Sequence, residues 1–251
     1  RDGFLVPDFK LSSGWLARAR TAVRRVERDH PEIGLDFVPS PHVPNYTPGL
    51  VESSEWLAFA GIPEVLDIVG QLIGENIIMW GSALFGKPAE VGKPTPWHQD
   101  GHYWPIRPLA SCTVWIAIDD ATTTNGCLRV VPGSQRNQAL YEHRRDDRDD
   151  WSLNQVIDDP RVDLDAGVDV VLEAGQISIH DIYMVHGSAP NQSEARRAGL
   201  TYRYMPTTSV FDHAWAGEMH RTMGVTDMSE RRLYLMRGID VSGENDLTVG
   251  V

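Results

Sequence analysis

The sequence predicts a mainly β fold, a sandwich or barrel of short strands buttressed by helices at its N-terminal end. Helical periodicity is confined to the first ~75 residues. From Asn76 onward the chain runs in short β-rich segments parted by Gly, Pro, Asn or Asp, the punctuation of turns. Helices first and many strands after is the order expected of a β core with a helical layer against it. There is no internal repeat and no linker, so the 251 residues read as one domain, 1–251, an ordinary length for a single β unit.

Taken in order, residues 13–30 (SGWLARARTAVRRVERDH) place apolar side chains at helical spacing with arginines between them, which predicts an amphipathic helix. Residues 31–50 are rich in Pro, His and Asn and predict irregular structure. Ser53-Ser54-Glu55 can open a second helix, and Pro63-Glu64 a third that runs to about Ile73. Strands are expected at 76–85, 111–118, 127–131, 168–172, 176–180 and 198–205. The stretch 137–167 interrupts them, with Arg144-Arg145-Asp146-Asp147-Arg148-Asp149-Asp150 at its centre. Such a run is ordinarily a solvated loop or helix face; the functional alternative is a lid, because long insertions between strands often carry substrate contacts.

Composition narrows the class. Hydrophobic residues at 41% and charged residues at 23% fit a globular chain, and no apolar run approaches the ~20 residues of a membrane helix. Arg1-Asp2-Gly3-Phe4 lacks the basic and apolar regions of a signal peptide. Cys112 and Cys127, the only cysteines, sit in apolar strand-like contexts and read as buried thiols of a reducing, cytoplasmic compartment. A net charge of −12 disfavours nucleic acid and anionic membrane as partners. It weakly disfavours polyanionic substrates as well, unless a local basic pocket overrides it. A small-molecule substrate is the expected partner, and the oligomeric state is not legible.

The chemistry concentrates in Trp97-His98-Gln99-Asp100-Gly101-His102-Tyr103, answered downstream by Val185-His186-Gly187-Ser188. Residues i and i+2 of a strand share a face, so His98 and Asp100 can address one ion while Trp97 and Gln99 point the other way. With His186 from another strand they make two imidazoles and one carboxylate. That set suits Fe(II) with open coordination positions; Zn(II) is chemically possible. His102 and His180 are competing histidines, and His180-Asp181 could mimic a ligand pair. His186 is preferred for its downstream neighbours: Gly187-Ser188 allows a tight turn, and Arg197 stands eleven residues on. An Arg fork is the natural partner of the far carboxylate of a dicarboxylic acid. Arg196 would face the other side of the same strand.

At these residues the sequence resembles the phytanoyl-CoA dioxygenase family of Fe(II)/2-oxoglutarate oxygenases. The resemblance rests on Arg1-Asp2-Gly3-Phe4, on Trp97 to Asp100 with His102-Tyr103-Trp104-Pro105, and on Trp115. It continues through Asn125-Gly126-Cys127-Leu128, Val131-Pro132-Gly133-Ser134 and the spacing from His186-Gly187-Ser188 to Arg197. It implies a double-stranded β-helix, the jelly-roll or cupin-like core, with Fe(II) held by His98, Asp100 and His186. It implies O2 as oxidant and 2-oxoglutarate as cosubstrate, its far carboxylate held by Arg197 and Ser188 in a pocket lined by Trp115. Gln99 joins that pocket only if its strand is irregular. Gly175-Gln176 and Gln135 depart from the family's frequent Gly-Asp and His, away from the ligands. A carboxylate at Asp100 fills the position that halogen-transferring relatives leave to halide, which disfavours halogenation.

His102, Tyr103 and Trp104 come directly after the ligand segment and are expected to border the substrate, with Trp151, Phe211, His213 and Trp215 able to close over it. The resemblance implies oxidation of an unactivated C–H bond, by hydroxylation or cyclisation; aromatic rings suit flat or sugar-like molecules, so a small-molecule secondary metabolite is the expected substrate. The rival is a non-oxidative cupin-like isomerase or epimerase, which has no use for a 2-oxoglutarate anchor at Arg197.

Overall fold

A computed structural model describes residues 1–31, 36–44, 46–51 and 53–249. β1 (Phe4–Leu5) leads into α1 (Ser13–Asp29), followed by β2 (Val38–Pro39), α2 (Ser54–Ala60) and α3 (Pro63–Ile73). Then come β3 (Ile77–Lys87), β4 (Thr95–Gln99), β5 (Ile106–Arg107), β6 (Cys112–Ala117) and β7 (Leu128–Val130). The insertion contributes β8 (His143–Arg145) and β9 (Gln155–Ile157). β10 (Val168–Val170), β11 (Ile177–Asp181), β12 (Val185–Ser188), β13 (Arg197–Pro206) and β14 (Val210–Phe211) precede α4 (His213–Met223) and β15 (Tyr234–Arg237). All six strand segments expected from the sequence are strands, and the three expected helices form. The irregular stretch 31–50 carries only the two residues of β2 as strand; positions 32–35 and 45 lie outside the described residues.

The strands build two antiparallel sheets. The larger runs β1-β11-β6-β13-β3-β15 with β2 paired to β3, and the smaller runs β10-β7-β12-β4. The sheets do not close on one another, so the core is an open jelly roll. α1 opens on Ser12, whose side chain accepts from Trp15 N–H, and α3 opens with Pro63, whose missing N–H would be unpaired there in any case. Both helices bury apolar faces against the larger sheet, into a core shared with Val114, Ile116, Ile177, Ile179 and Leu200. Tyr202 and Tyr204 donate from their hydroxyls to Trp56 O and Ala60 O, each at 2.8 Å, fixing α2 to the sheet. α2 and α3 are apolar because they are core helices; no single helix among the described residues is long and apolar enough to cross a membrane.

Strict alternation on the larger sheet determines what its other face offers. On β13, Ala198, Leu200, Tyr202 and Tyr204 face the helices, so Arg197, Gly199, Thr201 and Arg203 face the opposite way. Register pairs Thr201 with Trp115 and Arg203 with Thr113, and β11 sets Ser178 and His180 beside the same two residues. These inward side chains form one wall of a cavity between the sheets.

Candidate metal centre and its cavity

His98 and His186 enter from the smaller sheet, where β12 and β4 pair them directly across the ladder. Asp100 is not a strand residue, contrary to the alternation argument. β4 ends at Gln99, and Asp100 is the first residue of a 3-10 turn, Asp100–Tyr103. The turn is locked by Gly101 N–H donating to Ile182 O at 2.9 Å, at a position where a Cβ would lie 3.1 Å from the same oxygen. The carboxylate still arrives beside His98. One ligand atom from each of His98, Asp100 and His186 falls within 4.8 Å of the others, and all three residues are buried.

The donor chemistry fits a divalent ion. His98 Nδ1 meets Pro96 O at 2.8 Å and His186 Nδ1 meets Met184 O at 3.0 Å. A carbonyl only accepts, so each Nδ1 carries the proton and each Nε2 keeps its lone pair for a metal. Burial, reinforced by the imidazoles of His98 and His180, pushes His186 well below the ordinary histidine range, which keeps it neutral. Burial alone would raise the Asp100 carboxyl. The adjoining His180 and His98, with His186 and Arg203 further off, outweigh it and hold the group well below the usual carboxylate range. Thr113 Oγ1 donates to Asp100 Oδ2 at 3.2 Å, which orients the carboxylate.

His180 is a neighbour of this set and not part of it. It is buried, with Nε2 3.7 Å from Asp100 Oδ2, and neither of its ring nitrogens has a hydrogen-bond partner. Asp181 faces elsewhere and accepts from Tyr183 N–H at 2.8 Å, so His180-Asp181 makes no ligand pair.

The two candidate arginines separate cleanly. Arg196 points to the outside of the sheet, with Asp119 at 2.9 Å and Glu27 at 2.5 Å. Arg197 is 4% exposed, lines the cavity and donates to Gly126 O at 2.9 Å; its Nε is buried without a partner. Its guanidinium carbon lies 5.4 Å from the Trp115 ring. That indole occupies the space over Gly199, where a Cβ would come within 2.1 Å of it. Ser188 lines the same cavity from β12, two residues after His186 and therefore on the same face; the register irregularity between them is taken up on β4, which runs from His98 to Thr95 opposite. Burial, with the charge of Arg197 second, lowers the neighbouring Lys87 amine to about 6.

Six expected residues lie elsewhere. Gln99 is fully buried but turned away from the cavity, opposite to its neighbour His98. Its amide donates to Ala139 O at 2.9 Å and Tyr183 O at 2.6 Å and accepts from Tyr141 N–H at 2.8 Å, so it fastens the insertion to the core. His102 stacks on His143 at 4.2 Å between ring centres and does not line the cavity. Trp215 packs under Arg107, 3.8 Å from ring centre to guanidinium carbon, on the outside of α4. Phe211 belongs to a core cluster and His213 meets Arg231 O at 2.8 Å, so neither closes over the site; Trp151 carries Arg148 at 4.6 Å, and Leu153, Asn154 and Gln155 reach the cavity in its place. Tyr103 and Trp104 do line it.

Sequence reasoning missed Arg203, Arg231 and the segments around Pro39-Ser40 and Gly224-Val225, which complete a cavity of about 210 Å³. Arg203 was findable, since it lies at even spacing from Arg197 on one strand. Arg231 was not, because it reaches the site from an irregular segment.

The arrangement has close relatives. The family model for phytanoyl-CoA dioxygenase matches residues 1–199. The peroxisomal phytanoyl-CoA dioxygenase of Bos taurus is 30% identical over 274 residues, spanning 97% of this chain and 80% of that protein. Among solved structures, the non-heme monooxygenase ThoJ superposes with a TM-score of 0.72 at 26% identity, covering 95% of this chain and 82% of that one. The non-heme alpha ketoglutarate dependent carbocyclase SnoK, from nogalamycin biosynthesis, gives 0.64 at 25% identity over 84% and 82%.

Proposed function

The chain belongs to the phytanoyl-CoA dioxygenase family of 2-oxoglutarate-dependent non-haem iron dioxygenases, and from that premise we propose that it oxidises an unactivated C–H bond of a small-molecule secondary metabolite in the cytoplasm. The reaction is a hydroxylation or an oxidative cyclisation. The observation that carries the reading is the union in one cavity of the His98–Asp100–His186 set and Arg197, which is buried with a free Nε.

In this reading His98 and His186 hold iron through Nε2 and Asp100 through its carboxylate. Arg197, with Ser188 beside it, binds the far carboxylate of 2-oxoglutarate, and Trp115 lines the pocket. Bound together, iron and 2-oxoglutarate supply the oxidising power for C–H cleavage, consuming O2 and releasing succinate and CO2. The residues orient and shield: Thr113 aims Asp100, the Pro96 and Met184 carbonyls set the two imidazoles, and Tyr103 and Trp104 border the substrate. The 137–167 insertion serves as a wall or lid that excludes water, because Leu153, Asn154 and Gln155 reach the cavity. A dicarboxylate anchor at Arg197 weighs against a non-oxidative isomerase. The origin of SnoK in nogalamycin biosynthesis supports a metabolite substrate.

Succinate release is the test. Fe(II)-dependent conversion of 2-oxoglutarate to succinate, stimulated by some member of a panel of polycyclic and glycosylated metabolites, should fall at least ~100-fold in His186→Ala. Undiminished succinate release by that variant would remove His186 from the site.

A further inference from the structure

Two guanidinium groups face the substrate side of the cavity without a carboxylate between them. Arg203 projects from β13 beside Trp80 and Trp104, its guanidinium carbon 5.9 and 5.2 Å from their rings. Its Nε is buried without a partner, and no ion pair holds it among the described residues. Arg231, 6% exposed, donates to two neutral oxygens, Ser40 Oγ and, at 3.0 Å, Tyr46 Oη; its Nε too is buried and unpaired. Asp100 is the only acidic residue that lines the cavity among those described, and a metal would consume its charge.

A buried cation without a counter-charge, as Arg231 is, is costly, and the partly buried Arg203 adds a second like charge to the same cavity. On the reading of the site given above, the charges of iron, 2-oxoglutarate, Asp100 and Arg197 cancel. The two charges of Arg203 and Arg231 are then left over, in a chain whose net charge is −12. The acidic exterior and the cationic pocket therefore point in opposite directions, and the pocket is what a bound molecule meets.

We propose that the substrate carries an oxyanion, a carboxylate or a phosphate, and that Arg203 and Arg231 bind it beside the metal centre. Each contributes unused N–H donors in a planar fork, the geometry that recognises such groups. The Trp80 and Trp104 rings that flank Arg203 would take the adjoining apolar body, so recognition pairs one anionic group with a flat or aliphatic one. The oxyanion accepts from the buried N–H groups that the fold leaves unpaired and offsets their charge; a neutral ester or amide of the same shape would accept fewer of those bonds and leave both charges uncompensated. The proposal rests on the functional reading above only for where the cosubstrate sits.

Small probes test this without knowledge of the substrate. Acetate, methyl phosphate and the neutral control acetamide would be titrated against the Fe(II)-loaded, 2-oxoglutarate-saturated protein under anaerobic conditions, and against the metal-free protein, with affinity read from the shift in unfolding temperature. Acetate or methyl phosphate should bind at least ~10-fold more tightly than acetamide, and which of the two binds identifies the group. Arg203→Gln, which breaks no protein hydrogen bond, and Arg231→Lys should each weaken the anion ~10-fold while leaving 2-oxoglutarate affinity unchanged. Anion binding no tighter than acetamide, or unaltered in both variants, would overturn the proposal. So would a loss of 2-oxoglutarate affinity in Arg203→Gln, which would make Arg203 part of the cosubstrate site. Failure of the wild-type protein to bind 2-oxoglutarate would count against the functional reading alone, and the metal-free titration would still decide the oxyanion site.

Discussion

At the scale of single residues, the site is set by side-chain direction: His98 and His186 face each other across β4 and β12, and Arg197 and Arg203 share the inward face of β13. His98, Asp100, His186 and Arg197 could be picked from the sequence because ligand chemistry restricts residue type and strand geometry restricts spacing. Gln99 fails as a pocket residue because the irregularity of β4 lies before His98, between it and Thr95, so Gln99 still points opposite to His98, while Asp100 reaches the site by leaving the strand for a turn. His102 and Trp215 failed because neighbours far along the chain, His143 and Arg107, claim their rings. Lys87 offers a residue-scale prediction. Its amine titrates near 6 in the folded protein against an ordinary 10.5, so between those values the unfolded chain binds the extra proton. Stability should therefore rise with pH across that window and level off above it. Lys87→Met should raise stability at pH 7 and flatten the rise, as urea unfolding at pH 6, 7, 8 and 9 would measure; an unchanged slope would mean that the amine is charged in the fold.

Among elements, the long ones announced themselves and the short ones did not. β3 and β13 are 11 and 10 residues long, and α1 is 17, long enough for periodicity to register. β5, β8, β9 and β14 have two or three residues each and exist through their partners. α4 was overlooked because its apolar pattern is weak, although Asp212 caps it by accepting from Trp215 N–H at 2.8 Å. The attachment of the charged 137–167 stretch is not legible in the sequence: the Gln99 amide holds it from below, and Gln99 N–H donates to His143 Nε2 at 2.9 Å. Gln99→Leu removes the three side-chain bonds and leaves Ala139 O, Tyr183 O and Tyr141 N–H to find other partners. A loss of about 2–3 kcal/mol and faster hydrogen exchange over 139–157 should result; exchange as slow as in the wild type would show that the insertion is held by other contacts.

For the whole molecule, the order of helices and strands fixed the layers, and the resemblance supplied the jelly roll. Net charge, a sum over 251 residues, says nothing about which few of them turn inward, and the cavity gathers Arg197, Arg203 and Arg231 inside an acidic chain. Two sheets, one carrying His98 and His186 and the other Arg197 and Arg203, meet face to face, and the site exists only where they do. The most direct test of that convergence is anaerobic titration of the Fe(II)-loaded protein with 2-oxoglutarate, monitored by visible absorbance in the wild type, Arg197→Gln and Arg196→Gln. A weak band that needs both iron and 2-oxoglutarate is predicted, with half-saturation raised at least ~10-fold in Arg197→Gln and unchanged in Arg196→Gln. No band in the wild type, or equal half-saturation in all three proteins, would contradict the account.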